Sequence, residues 1–574
     1  MSNKVVFILG LIALLALVLS ACAAPSPEVQ VVTKVVEVEK EVTKIVESTP
    51  VVEKVVETQV VEVVVTPTPT PKPTGPRHGG TLTIIIPEEV KGLYNQADSG
   101  TEGEYPLNQI TDGLVNADID RNIVPGLAES WEISDDGLDY TFHLRQGVKF
   151  HDGTDFDAED VKWTMDQAII PGSYSANKWE PYIAGTEIID QYTVKITLKA
   201  PWYDFMNLLA FEEDLDILSR EAVEKWGEDY GYKAAVGTGP FKFDHWNRGE
   251  ELVLVRNEDY WGAGEEGLPY LDQIVYRPVV EDSVKLIQLA TKNADVIYTV
   301  PFNEVSALET DPNVVVDSTP GGTVHFLAMV TNRPPFDDIR VRQALNYAID
   351  RQAIVDTIFA GQATVANGLF PPMLFVSEND KVFYPYDPDK AKQLLEEAGY
   401  TSDNPLKFLL LTSNASLYQD EAVLVQAQLK EIGVEVEVLP LEKAALSTYT
   451  QKTAPDAEEK RQAFLYRYGY SGTFINDYTY RTYYSGAALN LSGYNQPGAP
   501  VHSEVDELLV ESIQLVDKDK ILENNHKLNE MIMMDAPWVR IAFQNNVIAY
   551  QSHVKGLKNW PLCTMPMVQV WLDQ

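Results

Sequence analysis

Few residues in this sequence have both the type and the spacing for bond-breaking chemistry. Its eight histidines, His78, His143 and His151 among them, include no HExxH pattern and no close pair. A zinc-protease helix is therefore not written here. Gly237-Thr238-Gly239-Pro240 is glycine-rich, but Pro240 lacks an N–H and no Lys-Ser/Thr follows. A phosphate-cradling loop needs both features, whereas a tight turn feeding a strand at Phe241 needs neither. His151-Asp152-Gly153-Thr154-Asp155-Phe156-Asp157 is rich in oxygen ligands, yet it misses the EF-hand order and the distal Glu. It reads as a turn and then a helix capped at Asp157, with Asp160 and Val161 inside. No Gly-x-Ser-x-Gly elbow occurs, and in so acidic a chain no pair of carboxylates stands out. No catalytic residue, metal site or cofactor is assigned, and a non-enzymatic role is expected. Aromatic residues beside turns offer recognition chemistry instead: Trp179, Tyr182, Trp202, Tyr203, Tyr468, Tyr470 and Phe474. Rings bury area at little entropic cost, which suits clefts that hold sugars or peptides. The run Tyr466 to Phe474 combines rings, the cation Arg467 and the glycines Gly469 and Gly472 without clean alternation.

The elements that must position such residues begin after a long preamble. Lys4 precedes an apolar run from Val5 to Leu19. That run is shorter than the roughly 20 residues a spanning helix needs, and it fits the apolar core of an export signal. Leu19-Ser20-Ala21-Cys22 follows and looks like a bacterial lipobox, so residues 1–22 read as a lipoprotein signal peptide with Cys22 as the lipidated residue. Only Cys22 and Cys563 occur in the chain; with one lipidated, no internal disulfide can form. A net charge of −40 argues against nucleic acid, whose phosphates would be repelled. Residues 23–77 carry Lys34-Val35-Val36-Glu37, Lys44-Ile45-Val46-Glu47 and Lys54-Val55-Val56-Glu57 at a ten-residue period, then Thr66-Pro67-Thr68-Pro69-Thr70-Pro71. This reads as an extended, weakly ordered stalk, with a coiled coil or β-ladder as the alternative.

The globular body starts near Gly79. Thr81 to Ile86 is apolar enough for a strand buried on both faces. Tyr140, Phe142 and Leu144 alternate with polar residues, as do Val194, Ile196 and Leu198. Phe241 and Phe243, Asn247-Arg248-Gly249 and Leu252 to Val255 read as a hairpin. Val341, Ala344, Leu345, Ala348 and Ile349 share a helical face behind an N-cap at Asp337 or Asp338. Further helices run from Asp350 to a stop at Gly361, from Asp387-Pro388 to Gly399, and from about Asp420 to Gly433. Val434, Val436 and Val438 then form a strand. Interspersed strands and helices make the class mixed α/β.

Four blocks, in order, resemble the bacterial extracellular solute-binding proteins of family 5, which include oligopeptide-, dipeptide- and nickel-binding members. The first runs from Leu127-Ala128-Glu129-Ser130-Trp131 through Tyr140 to Arg145 and Val148 to Gly153, with Asp160-Val161. The second is Gly237 to Phe241 with Val255-Arg256-Asn257 and Tyr260-Trp261. The third is Phe336 to Leu345 with Ala348 to Arg351, and the fourth is Asp387-Pro388 through Leu394-Leu395 to Tyr400. The resemblance implies a two-lobed periplasmic binding protein of type II, with mixed sheets, a hinge and an inserted domain. Lobe 1 would be built from 79–118, 211–300 and 545–574, the inserted domain from 119–210, and lobe 2 from 301–544. It implies a monomer, lipid-anchored outside the cytoplasm, that hands a peptide to the transmembrane subunits of an ABC permease. An oligosaccharide ligand is the alternative, and a surface sensor or an extracellular hydrolase are readings from other classes. Carried over by this resemblance, ligand-side residues are Asp98, Ser99 and Thr101 after the first strand, Trp179 and Tyr182 from the inserted domain, and Arg467, Tyr468, Gly469, Tyr470 and Phe474. Peptide-binding members place an aspartate in that last stretch for the ligand's ammonium group. Here the stretch has none before Asp477, which puts a free amino terminus in doubt.

Overall fold

The computed structural model describes residues 30–46, 49–65 and 75–573, apart from 98–99, 119–121, 172, 174, 265, 375, 470–475, 488, 500–502 and 561–564. The chain divides into two compact units, Met1–Gly75 and Pro76–Gln574.

In the first unit the β-ladder, the alternative to a loose stalk, is what forms. Strand β1 (Gln30–Val46) pairs antiparallel with β2 (Thr49–Val65) along their whole length, Gln30 opposite Val65 and Val46 opposite Thr49. Valine has high β propensity, and a continuous ladder satisfies backbone groups that an extended spacer would leave to water. The paired valines of each repeat hide the strand period of two, so the sequence gives no clean alternation to read.

The second unit is built on one large mixed sheet. In chain order its elements are β3 (Thr81–Ile86), α1 (Thr101–Ile110), and a subdomain of β4 (Ala128–Ile133), β5 (Asp139–Leu144), α2 (Ala158–Ala168), β6 (Ile183–Asp190) and β7 (Thr193–Leu198). There follow β8 (Phe241–Asn247), β9 (Glu251–Arg256), β10 (Gln273–Pro278), α3 (Asp282–Ala290), β11 (Val296–Ile297) and the long β12 (Val314–Met329). Then come α4 (Ile339–Ala348), α5 (Arg351–Ile358), β13 (Lys407–Ser413), α6 (Ser416–Glu431), β14 (Glu435–Leu441), α7 (Lys443–Thr450), β15 (Ala463–Gly469) and the long β16 (Trp538–Gln551). The main sheet runs β8-β9-β10-β3-β11-β16-β12-β15-β13-β14, and the subdomain sheet runs β4-β5-β7-β6. The pairs β10/β3, β3/β11, β15/β13 and β13/β14 are parallel and the other neighbours along this path are antiparallel.

Local chemistry fixes the element ends as the sequence reads them. Asp157 caps α2 in a reciprocal box with Asp160, and Asp338 and Asp350 cap α4 and α5. Asp387 caps the helix Pro388–Glu397. Gly361, Gly399 and Gly433 follow their helices at φ of 78°, 92° and 83°, a region that favours glycine. The helix expected from Asp420 starts four residues earlier, at Ser416. Gly237 and Gly239 lie where an added Cβ would meet the Ile110 carbonyl oxygen at 2.1 and 2.8 Å. That turn is therefore a packing joint, as its proline implies. The third family block is also structural: buried Arg342 donates to the carbonyls of Phe336 and Asp535, and Arg351 to those of Asn346, Tyr384 and Arg540.

The two long strands join the two halves of the sheet. Val314–Thr319 of β12 pairs with Asn546–Gln551 of β16, which continues to β11 and β3. Thr323–Ala328 pairs with Trp538–Gln544 and continues to β15. Between them, at Pro320-Gly321-Gly322, the register shifts. Each half has its own core on the α3 side of the sheet, one around Ile85, Leu289 and Val547, the other around Leu327, Ala344 and Val425. Phe302 packs against both. The expected second lobe starts at 301, yet 314–319 stay in the first half's ladder.

Candidate ligand cavity at the hinge

Beside the interruption in β12 lies a cavity of about 850 Å³. Both halves of the sheet and the crossing strand line it: Pro301–Glu304 from one side, Ser416–Tyr418 and Arg467 from the other, and Gln544–Val547 between them. Its volume falls in the range of small-ligand sites. Gly321 makes the crossing tight, since a Cβ there would sit 2.4 Å from the Gln544 carbonyl oxygen.

Arg467 reaches the cavity because of strand alternation. In β15 it stands opposite His325, while its neighbours Tyr466 and Tyr468 stand opposite Phe326 and Val324. The guanidinium is exposed and makes no hydrogen bond or ion pair among the described residues. Next to it, burial pushes the Tyr418 hydroxyl up to about 12, with the Arg467 charge opposing. Two helices also open here. Neither α6, with Ala415 at its N-cap, nor α3, with Glu281, has a side chain capping its first N–H groups, so donor groups and the positive dipole ends face the space. Carboxylates are present too: Glu304 and Asp420 line the cavity, as does Asp282, which pairs with Lys285 at 2.8 Å.

Behind this wall His325 is fully buried. Its Nδ1 lies 2.9 Å from Glu421 Oε2 and its Nε2 lies 2.9 Å from Gln544 Oε1. The ring stacks on Tyr418 at 5.8 Å and meets Phe359 edge-on at 4.9 Å.

Donors and acceptors from two half-sheets around a crossing strand describe a clamp for a polar molecule. Residues 122–490 match the family described as bacterial extracellular solute-binding proteins, family 5 Middle. This chain belongs to that family. The family 5 chain is 32% identical over 480 residues to the glutathione-binding protein GsiB of Salmonella paratyphi A, covering 83% of this chain and 90% of that protein. Its fold matches the periplasmic binding protein DppA from Helicobacter pylori, solved with the peptide STSA, at a TM-score of 0.74 and 30% identity, over 87% of this chain and 99% of that one. The oligopeptide-binding protein AppA from Bacillus subtilis, solved with a nonapeptide, matches at 0.73 and 26%, over 87% and 100%. The architecture is that of a two-lobed periplasmic binding protein.

In this family 5 protein only Arg467, among the described members of the expected set, lines this cavity. Arg467 lines the cavity, but Tyr468 faces the opposite side of the sheet. It packs 5.4 Å from Phe326 and 6.1 Å from Trp538, and its hydroxyl donates to the Leu489 carbonyl at 3.2 Å. Gly469 ends β15, exposed. Trp179 is buried in the subdomain core and donates Nε1–H to Asp214 at 2.9 Å, while Tyr182 stacks on Trp202 at 4.0 Å. Thr101 opens α1. Asp98, Ser99, Tyr470, Phe474 and Cys22 lie outside the described residues. Sequence reasoning missed Tyr418, His325, Glu421 and Gln544, which only tertiary pairing assembles. A polar His325 inside the apolar run Val324–Val330 is the one signal that could have found them.

A second link between the halves lies at the loop after β3. Glu88 pairs with Lys443 of α7 at 3.6 Å, while the adjacent Glu89 accepts from Trp246 Nε1 and Gly249 N, both at 2.9 Å.

Proposed function

We propose that this family 5 protein captures a short peptide in the hinge cavity and hands it, unaltered, to an ABC permease. The observation that carries this reading is the Arg467 guanidinium, without an ion-pair or hydrogen-bond partner among the described residues, in a cavity lined from both halves of the sheet. A carboxylate is the natural partner of such a fork, and a ligand held from both sides favours the closed state over the open one. Glu304 and Asp420, from opposite lobes, supply acceptors for the ammonium end, which answers the missing aspartate of the 467–474 stretch. Buried Trp179 and sheet-packed Tyr468 weaken the alternative of an oligosaccharide stacked on rings. Relatives solved with peptides support the same choice.

The lobes meet where β12 and β16 change register, so bending there moves the Arg467 wall against the Phe302 wall. Cys22 anchors the chain to the membrane by its lipid. A thermal-shift screen of a tri- to pentapeptide pool against a pool of neutral oligosaccharides tests the reading, because a ligand bound only by the folded state raises Tm. Peptides raise Tm and the sugars do not; the reverse pattern removes the peptide assignment.

A further inference from the structure

A second cavity, of about 450 Å³, shares no lining residue with the hinge cavity. It lies where the end of α1 and the C-terminal residues Gly556, Lys558 and Trp560 meet the chain around Phe211. Three of its lining carboxylates, Asp112, Glu213 and Asp216, are in no ion pair among the described residues. They are held by neutral donors alone. Asp112 Oδ2 accepts from Thr238 Oγ1 and Trp261 Nε1, both at 2.8 Å. Glu213 Oε1 accepts from Asn108 Nδ2, and Asp216 Oδ2 from Thr111 Oγ1, both at 2.6 Å. Asp112 is only 7% exposed, yet its second oxygen has no hydrogen-bond partner among the described residues, and the same is true of Asp216 Oδ1. Rings complete the walls. Phe211 and Trp560 lie 6.1 Å apart at 55°, and Tyr260 stands with them, its hydroxyl also without a partner among the described residues. We infer that this cavity is a binding site for an organic ammonium ion, with Asp112, Glu213 and Asp216 as its counter-charges and Phe211, Tyr260 and Trp560 around its apolar part.

Positive charge is what the cavity lacks. Carboxylates sharing a water-poor space repel one another, a buried charge needs a partner, and aromatic faces attract cations. Lys558 is the one lining cation among the described residues, and it is exposed. Arg145 reaches Asp112 only from behind the Trp261 ring, which it covers at 4.8 Å, and it is taken up by the Gly126 carbonyl at 2.7 Å and by Glu129 at 3.7 Å. Among the described residues no group of three or more His, Cys, Asp or Glu is set to hold a metal ion, so an organic cation is the class that fits. Until it arrives, protons take its place. Burial, with Glu212 and Asp214 nearby, pushes Glu213 up to about 8, and burial with Glu213 and Asp112 nearby pushes Asp216 well above the carboxylate range. Burial and Asp112 likewise keep the Tyr260 hydroxyl protonated. An alkylammonium stays charged to about pH 10. Its binding therefore expels protons from the carboxylates and tightens as the pH rises towards about 8.

This site stands apart from the peptide reading, and its test keeps the two separate. Titration calorimetry of the full chain, made lipid-free by Cys22→Ser, compares 1,4-diaminobutane with 1,4-butanediol, which has the same length and no charge. The diamine binds at least tenfold more tightly than the diol. Its heat at pH 7.5 differs between phosphate and Tris buffers by the ionisation heat of the protons released. Glu213→Gln and Asp216→Asn keep the oxygens to which Asn108 and Thr111 donate, and each weakens the diamine at least tenfold while the affinity for Ser-Thr-Ser-Ala stays as in the wild type. Arg467→Ala, in the other cavity, binds the diamine as the wild type does. Equal binding of diamine and diol, no binding of either, or a diamine affinity unmoved by both carboxylate variants overturns the inference. So does a diamine affinity lost in Arg467→Ala, which would put the cation at the hinge. If a carboxylate variant does not fold, the wild-type heats decide: a diamine heat that is the same in both buffers overturns the inference.

Discussion

Arg467→Ala separates binding from folding more cleanly than any other substitution in the cavity. The side chain makes no hydrogen bond or ion pair among the described residues and is exposed, so its removal leaves no buried group orphaned. Surface changes of this kind sit within about 0.5 kcal/mol, and for a cooperative unit of roughly 500 residues the unfolding entropy is about 1 kcal/mol/K. The ligand-free Tm therefore stays within about 1 °C of wild type. In the complex the guanidinium meets a carboxylate, and a hydrogen bond to a charged partner contributes about 1.5–3 kcal/mol. That corresponds to roughly 10- to 150-fold in Kd. Arg467→Lys keeps the charge but not the planar fork, and falls between. Calorimetry with a free-acid peptide and its amide reads both quantities, and the amide should bind the wild type and Arg467→Ala almost equally. A Kd unchanged within threefold, or a ligand-free Tm lowered by several degrees, would refute the reasoning.

Gly321→Ala puts a Cβ 2.4 Å from the Gln544 carbonyl oxygen; overpacking costs about 1–3 kcal/mol, so differential scanning should show a Tm lower by about 1–3 °C and peptide calorimetry a weaker affinity. The burial of Glu213, with Glu212 nearby, pushes its carboxyl from 4.5 up to about 8. Between those values the folded state holds a proton the unfolded chain has released, so stability falls as pH rises through that window. Glu213→Gln, which can still accept from Asn108, should raise Tm at pH 8.5 and leave it unchanged at pH 4. Cys22→Ser should move the protein from the membrane to the soluble extracytoplasmic fraction; unchanged retention would remove the lipid anchor.

Much of the fold was legible because it is written locally. Asp157, Asp338, Asp350 and Asp387 announce helix starts, and Gly361, Gly399 and Gly433 their stops, through contacts within a few residues. The four family blocks were visible for a related reason: residues such as Arg342, Arg351 and Gly239 hold joints of the scaffold. The β1–β2 ladder stood only as the alternative to a loose stalk, since valine doublets mask the alternation and register is a long-range choice. The site was legible only in part. Arg467 and Tyr468 share a stretch of sequence, but a strand's period of two sends them to opposite faces. Gln544 and His325 are more than 200 residues apart, and nothing short of β12–β16 pairing puts them on one wall.

Small-angle scattering of the lipid-free body, with and without Ser-Thr-Ser-Ala, tests the clamp most directly, with mass spectrometry of the peptide recovered afterwards. The radius of gyration should fall as the peptide saturates the cavity, and the peptide should come back intact. Saturated binding with an unchanged radius, or a cleaved peptide, would contradict capture by closure.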